Sequence, residues 1–91
     1  MIDDSTRPRL SSTVTGRDLG DEYVFLDASG DRLHVLNGVA REIVILCDGQ
    51  RTPADLAHEL TERFAVDEAT ALVDVRRIID QLLQLGVLTP D

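Results

Sequence analysis

LHVLNGVAREIVILCDG, residues 33–49, decides how this chain of 91 residues folds. It reads as a strand, a sharp turn, a short helix and a helix stop. Residues 33–36 are β-prone. Asn37 is placed to cap the helix, because its side-chain oxygen can accept from the free amides of a first turn. Val39, Ala40, Ile43, Val44, Leu46 and Cys47 then recur at spacings of three and four, which gives the helix one apolar side. Asp48 and Gly49 end it, with the glycine free to take a left-handed conformation. Upstream sequence reads as a small sheet feeding this unit, and downstream sequence as helices packing on it.

Just upstream, residues 23–26 and 32–36 predict two strands. Asp27-Ala28-Ser29-Gly30-Asp31 between them is a run of turn formers, so the pair reads as a β-hairpin. Alternation puts Leu33 and Val35 on one face, and Arg32, His34 and Leu36 on the other. Thr13-Val14-Thr15 predicts a short first strand, and the acidic residues 16–22 a loop. Residues 1–12 are polar and aperiodic. They are expected to be a flexible tail, leaving 13–91 as one domain.

Downstream, Thr52 caps a second helix, Pro53 suits its first position, and Asp55 stands where a capping box has its acid. Leu56, Ala57, Leu60 and Phe64 form its apolar face. Asp67 caps a third helix, Glu68 places negative charge at its positive end, and Gly86 stops it. On this helix Ala71, Leu72, Val75, Ile78, Ile79, Leu82, Leu83 and Leu85 span an arc of roughly 160°. An arc that wide implies a central helix or one with a flank lining a groove. Val73 and Arg76 stand just beyond one edge, with Arg77 and Asp80 near them. Val87-Leu88 is expected to fold back as an apolar clasp before Pro90. A small sheet followed by three helices is an α+β, winged-helix-like arrangement.

Composition narrows the function. Seventeen acidic residues face nine basic ones, all arginine, for a formal net charge of −8. Nucleic-acid binding needs clustered cations against phosphate and is not expected. An apolar fraction of 43% supplies one modest core. Cys47 is the only cysteine, so no internal disulfide is possible, and on the apolar side of a helix it reads as a small core residue. No apolar run is long enough to span a membrane and no signal peptide is evident, which predicts a cytoplasmic protein with no membrane partner. His34 and His58 lie on different elements, Ser11-Ser12 has no basic partner nearby, and the glycines form no phosphate loop. No catalytic constellation, metal site or cofactor is expected.

One ordered set of residues carries a family resemblance. It comprises Leu36-Asn37, Ala40, Ile43, Leu46 and Cys47-Asp48-Gly49, then Arg51-Thr52, Leu56 and Leu60. Asp74-Val75, Ile78, Leu82 and Gly86-Val87-Leu88 complete it. Over residues 14–88 the chain resembles the PqqD family. These are the peptide chaperones of pyrroloquinoline quinone biosynthesis and the related recognition elements for ribosomally synthesised, post-translationally modified peptides (RiPPs). The resemblance implies a three-stranded antiparallel sheet followed by three helices. It also implies a non-catalytic function: binding the leader of a precursor peptide and presenting it to a maturation enzyme, a radical SAM enzyme or a leader peptidase. The leader would join the sheet as a strand beside the third strand and pack on the third helix. Arg32, Leu33, His34, Val35 and Leu36 would supply the edge. Val73, Ile79 and Leu83 would offer apolar contacts, and Arg76 and Arg77, beside Asp80, would meet acidic leader residues.

Plainer roles compete. Leu33, Val35, Ile79 and Leu83 all suit a core, Ile79 best of all. Arg76 stands four residues from Asp80, a spacing that suits an ion pair of roughly 0.3–0.5 kcal/mol. Within the family the alternative is the leader-binding partner of a lasso-peptide leader peptidase. A winged-helix DNA-binding regulator is the distant rival, disfavoured because Glu68, Asp74 and Asp80 offset Arg76-Arg77. A small-molecule carrier would need a large pocket. An open third strand is compatible with a monomer and with a weak or domain-swapped dimer.

Overall fold

The computed structural model describes residues 5–27 and 29–90. In chain order the elements are β1 (Arg9–Leu10), β2 (Gly16–Asp18), β3 (Glu22–Leu26), β4 (Leu33–Asn37), α1 (Gly38–Leu46), α2 (Pro53–Arg63), α3 (Glu68–Gln84) and β5 (Leu88–Thr89). β2, β3 and β4 form an antiparallel sheet in that order, so among the described residues β4 is an edge. Phe25 of β3, Ile43 and Val44 of α1, Leu56 and Leu60 of α2, and Val75 and Ile79 of α3 meet in one core with essentially no exposure.

α2 and α3 form where their caps and apolar spacings place them. Thr52 and Asp55 make a reciprocal capping box: the Thr52 N–H donates to Asp55 Oδ2 at 3.0 Å and the Asp55 N–H donates to Thr52 Oγ1 at 3.3 Å. Asp67 accepts from the Thr70 N–H at 2.7 Å. α3 ends in a Schellman motif, with Val87 N–H bonded to the Leu82 carbonyl at 3.2 Å and Gly86 N–H to the Leu83 carbonyl at 3.1 Å. Gly86 sits at φ 79°, as that motif requires. The motif turns Val87 and Leu88 into the core.

The backbone amide of Thr52 holds the Asp55 carboxyl below its ordinary pKa, and that of Thr70 does the same for Asp67. Because folding lowers both values, their stabilisation is full above the free carboxylate value of about 3.9 and is lost as pH falls through the folded values. Melting temperature is therefore expected to fall below about pH 4. In thermal denaturation from pH 6 to pH 2, the Asp55→Asn/Asp67→Asn variant should lose less stability than the parent.

Four expectations are corrected. The first strand of the sheet is Gly16–Asp18, not residues 13–15. All three of its residues are exposed, so no apolar alternation marks it, and hairpin pairing with β3 selects it. The third strand runs one residue later than predicted and leaves Arg32 in the preceding turn, where its carbonyl accepts from Asp27 N–H at 3.0 Å. Ala28 of that turn lies outside the described residues. Asn37 is extended at the start of α1 but makes no side-chain cap bond, and Gly38, at φ 55°, turns the strand into the helix. Residues 1–12 are expected to be a flexible tail, but residues 9–10 of that stretch form β1, which pairs with β5. Pro8 is buried, and its carbonyl accepts from Gly49 N–H at 3.1 Å. Residues 1–4 lie outside the described residues. The Val87-Leu88 clasp thus has the amino-terminal segment as its partner.

Candidate functional site

The open edge of β4 follows from its pairing. Tyr23 stands opposite Leu36, Val24 opposite Val35, Phe25 opposite His34 and Leu26 opposite Leu33. The hairpin closes with the Asp27 N–H donating to the Arg32 carbonyl, in the same register. Antiparallel ladders alternate bonded and non-bonded pairs. The bonded pairs are therefore Asp27 with Arg32, Phe25 with His34, and Tyr23 with Leu36. His34 and Leu36 direct their backbone groups to β3, whereas Leu33 and Val35 direct N–H and C=O to the open side.

The side chains alternate in step. His34 and Leu36 point to the core face, where both are half-buried, and Leu36 packs on the core. The His34 ring stacks on Phe25 with centroids 5.0 Å apart, and its Nε2 lies 3.4 Å from Asp27 Oδ2. Hydrogen bonds from Ser29 first, then His34, hold the Asp27 carboxyl below its ordinary pKa. Leu33 and Val35 occupy the opposite face and are 63% and 52% exposed, so neither belongs to the core.

The second group lies along α3. Val73 is 65% exposed, Arg76 and Arg77 are exposed, and Asp80 and Leu83 are half-buried. Arg77 Nη2 lies 3.7 Å from Asp74 Oδ1. Ile79 is fully buried and serves the core. The helix packed beside β4 is α1, and Leu36 of β4 and Leu83 of α3 both rest on the same core cluster. That shared core joins the strand edge to the helix flank.

Sequence reasoning missed the ion-pair chain that fixes the sheet to the helices. Arg41 grips Asp18 with two parallel bonds, Nε to Oδ1 and Nη2 to Oδ2, both 2.9 Å. Its Nη1 meets Glu42 Oε1 at 3.0 Å, and Glu42 Oε2 receives Arg63 Nη1 at 2.9 Å. The chain runs from β2 through α1 to α2. Its partners are more than twenty residues apart in two of the three links, so no local pattern announces it. Arg51 closes the far end of α1, donating to the Leu46 carbonyl at 3.1 Å and to Asp48 at 2.8 Å.

The reactive groups are quiet. Cys47 is buried, and desolvation pushes its thiol up to about 12, which keeps it protonated. His58 is on the exposed side of α2, 3.2 Å from Glu68. Among the described residues, no three His, Cys, Asp or Glu side chains gather as metal ligands, and no helix is long and apolar enough to cross a membrane.

The family model for coenzyme PQQ synthesis protein D (PqqD) matches residues 22–88, from the first residue of β3 to β5. This chain belongs to the PqqD family. Solved structures share the fold of this PqqD-family chain. TbiB1, solved in complex with the TbiA(beta) leader peptide, is 22% identical, with TM-score 0.79 over 91% of this chain and 96% of its own. A lasso peptide synthetase B1, complexed with the leader peptide, is 26% identical, with TM-score 0.78 over 92% and 99%. The PqqD truncation of Methylobacterium extorquens PqqCD is described as a functional, stand-alone RiPP recognition element. It is 26% identical, with TM-score 0.74 over 98% and 95%. No curated protein matches the chain by sequence. The shared architecture is the expected one, an α+β domain with a three-stranded antiparallel sheet and three helices.

Proposed function

We propose that this PqqD-family chain is a non-catalytic, cytoplasmic leader-peptide binding protein that presents a precursor peptide to a maturation enzyme. One observation carries the reading: β4 ends the sheet with Leu33 and Val35 turning their backbone donors and acceptors outward. An extended peptide satisfies such groups by becoming a fourth strand. Leader residues opposite His34 and Leu36 then face the helices, and those opposite Leu33 and Val35 face the outside of the sheet. Leu83 and Val73 offer apolar contact along α3. Arg76 and Arg77, with Asp80 one turn further along the helix, supply charge selection in a protein that is otherwise acidic. The turn residue Arg32 lies at the end of the same edge. Main-chain bonds provide affinity, and the α3 flank provides sequence preference.

Either a radical SAM enzyme or a leader peptidase fits as the recipient. Reconstitution with the enzyme encoded beside the gene distinguishes them. The direct test is amide chemical-shift titration with the leader of the neighbouring precursor peptide. Shifts concentrated on β4 and α3 support the reading, and shifts confined elsewhere refute it. Arg76→Glu is expected to weaken an acidic leader by about tenfold, roughly 1.4 kcal/mol, with the helical circular dichroism unchanged. Unchanged leader affinity in that variant removes Arg76 from the site.

A further inference from the structure

The sheet has a second surface that strand addition does not fill. Val24, Leu26, Leu33 and Val35 share its outer face, in the non-bonded pairs Val24 with Val35 and Leu26 with Leu33. Leu19 extends the patch past β2. Of the seven exposed large hydrophobic residues among those described, four lie here: Leu19, Leu26, Leu33 and Val35. Leu19, Val24, Leu26 and Leu33 line an open depression of about 520 Å³, and among the described residues the only charged side chain along it is Arg17. Contiguous exposed apolar surface of this kind marks an interaction site.

We propose that this outer face docks the maturation enzyme, through a protein surface that is apolar at its centre and carries a carboxylate for Arg17. The charges on the page select that occupant. A second copy of this chain brings another eight net negative charges, and an anionic lipid surface is repelled for the same reason. A protein surface with an apolar centre and a single carboxylate meets both the leucines and the arginine, without the bulk negative charge that a second copy or an anionic lipid brings. The inference rests on the leader-binding reading in one respect. A leader strand on β4 places the side chains opposite Leu33 and Val35 on this same outer face. The apolar patch then continues from protein onto peptide, so the enzyme contacts both and binds the loaded protein more tightly than the empty one.

Leu19→Glu, Leu26→Glu and Arg17→Glu lie outside the strand that receives the leader. Each is to be titrated twice, once with fluorescein-labelled leader and once with the purified enzyme encoded beside the gene, in the absence of leader. Circular dichroism checks the fold, and Leu19→Ser repeats the test with a milder change. The expected result is a tenfold or greater loss of enzyme affinity with leader affinity within twofold of the parent, and partial rescue of the Arg17 site by Arg17→Lys. Enzyme affinity equal to that of the parent in the glutamate variants overturns the proposal. So does a parent protein that binds no enzyme, or sedimentation showing a dimer that these substitutions dissolve. Because the enzyme arm is read without peptide, loss of leader binding in the parent would refute the leader reading and leave the surface test standing.

Discussion

Val35→Pro is expected to lower leader affinity by tenfold to a hundredfold, on the order of 1.4–2.8 kcal/mol, while the three helices remain folded. Proline removes one backbone N–H, and the register makes that N–H one of those facing the open edge. The bonds from His34 and Leu36 to β3 are untouched, so the hairpin persists. His34, the residue before the new proline, is already in a strand, the conformation that a following proline favours. Proline is tolerated on an edge strand where its missing donor would face solvent. The loss therefore falls on the added strand and not on the sheet. A Val35→Thr variant keeps the N–H and the branched shape and should bind the leader as the parent does. Isothermal titration of both variants, with circular dichroism as the fold control, is the measurement. Parental affinity in Val35→Pro would rule out strand addition at β4.

Ile79→Ala is expected to cost about 2–5 kcal/mol of folding stability. Ile79 is fully buried at the centre of α3, among side chains from the sheet and the other helices. Truncation leaves a cavity that a packed core closes only in part. A domain of this size holds roughly 5–14 kcal/mol in total, so the variant loses a large share of it and its melting temperature should fall by at least about 10 °C. Val73→Ala, on the exposed side of the same helix, should change stability by no more than about 0.5 kcal/mol. Thermal denaturation of the pair separates core from surface along α3. A melting temperature for Ile79→Ala within about 2 °C of the parent would contradict the central place given to this helix.

These two residues also show what was readable in advance. Ile79 sits mid-arc on a strongly periodic helix, and its burial needed only the spacing of its neighbours. Val35 was harder. Alternation separated Leu33 and Val35 from His34 and Leu36, but it did not say which pair faces the core. A histidine on the inner face looks wrong by hydropathy, yet stacking on Phe25 and proximity to Asp27 accommodate it. Strand Gly16–Asp18 was missed for a related reason: an exposed strand carries no apolar alternation, and its existence depends on the partner across the hairpin.

Local chemistry was enough for the second and third helices of this chain. Thr52 with Asp55, Asp67, and Gly86 define their ends within four residues of sequence, and the apolar spacings define their faces. The acidic balance likewise followed from residues alone. Tertiary structure decided whatever joins distant segments. It paired Arg9–Leu10 with Leu88–Thr89, linked Asp18 to Arg41 and Glu42 to Arg63, and turned Leu33 and Val35 outward at an open edge. The physical reason is range. A cap or an amphipathic face is satisfied by neighbours a turn away, whereas a strand's partner, and the edge left without one, exist only after the chain has closed on itself.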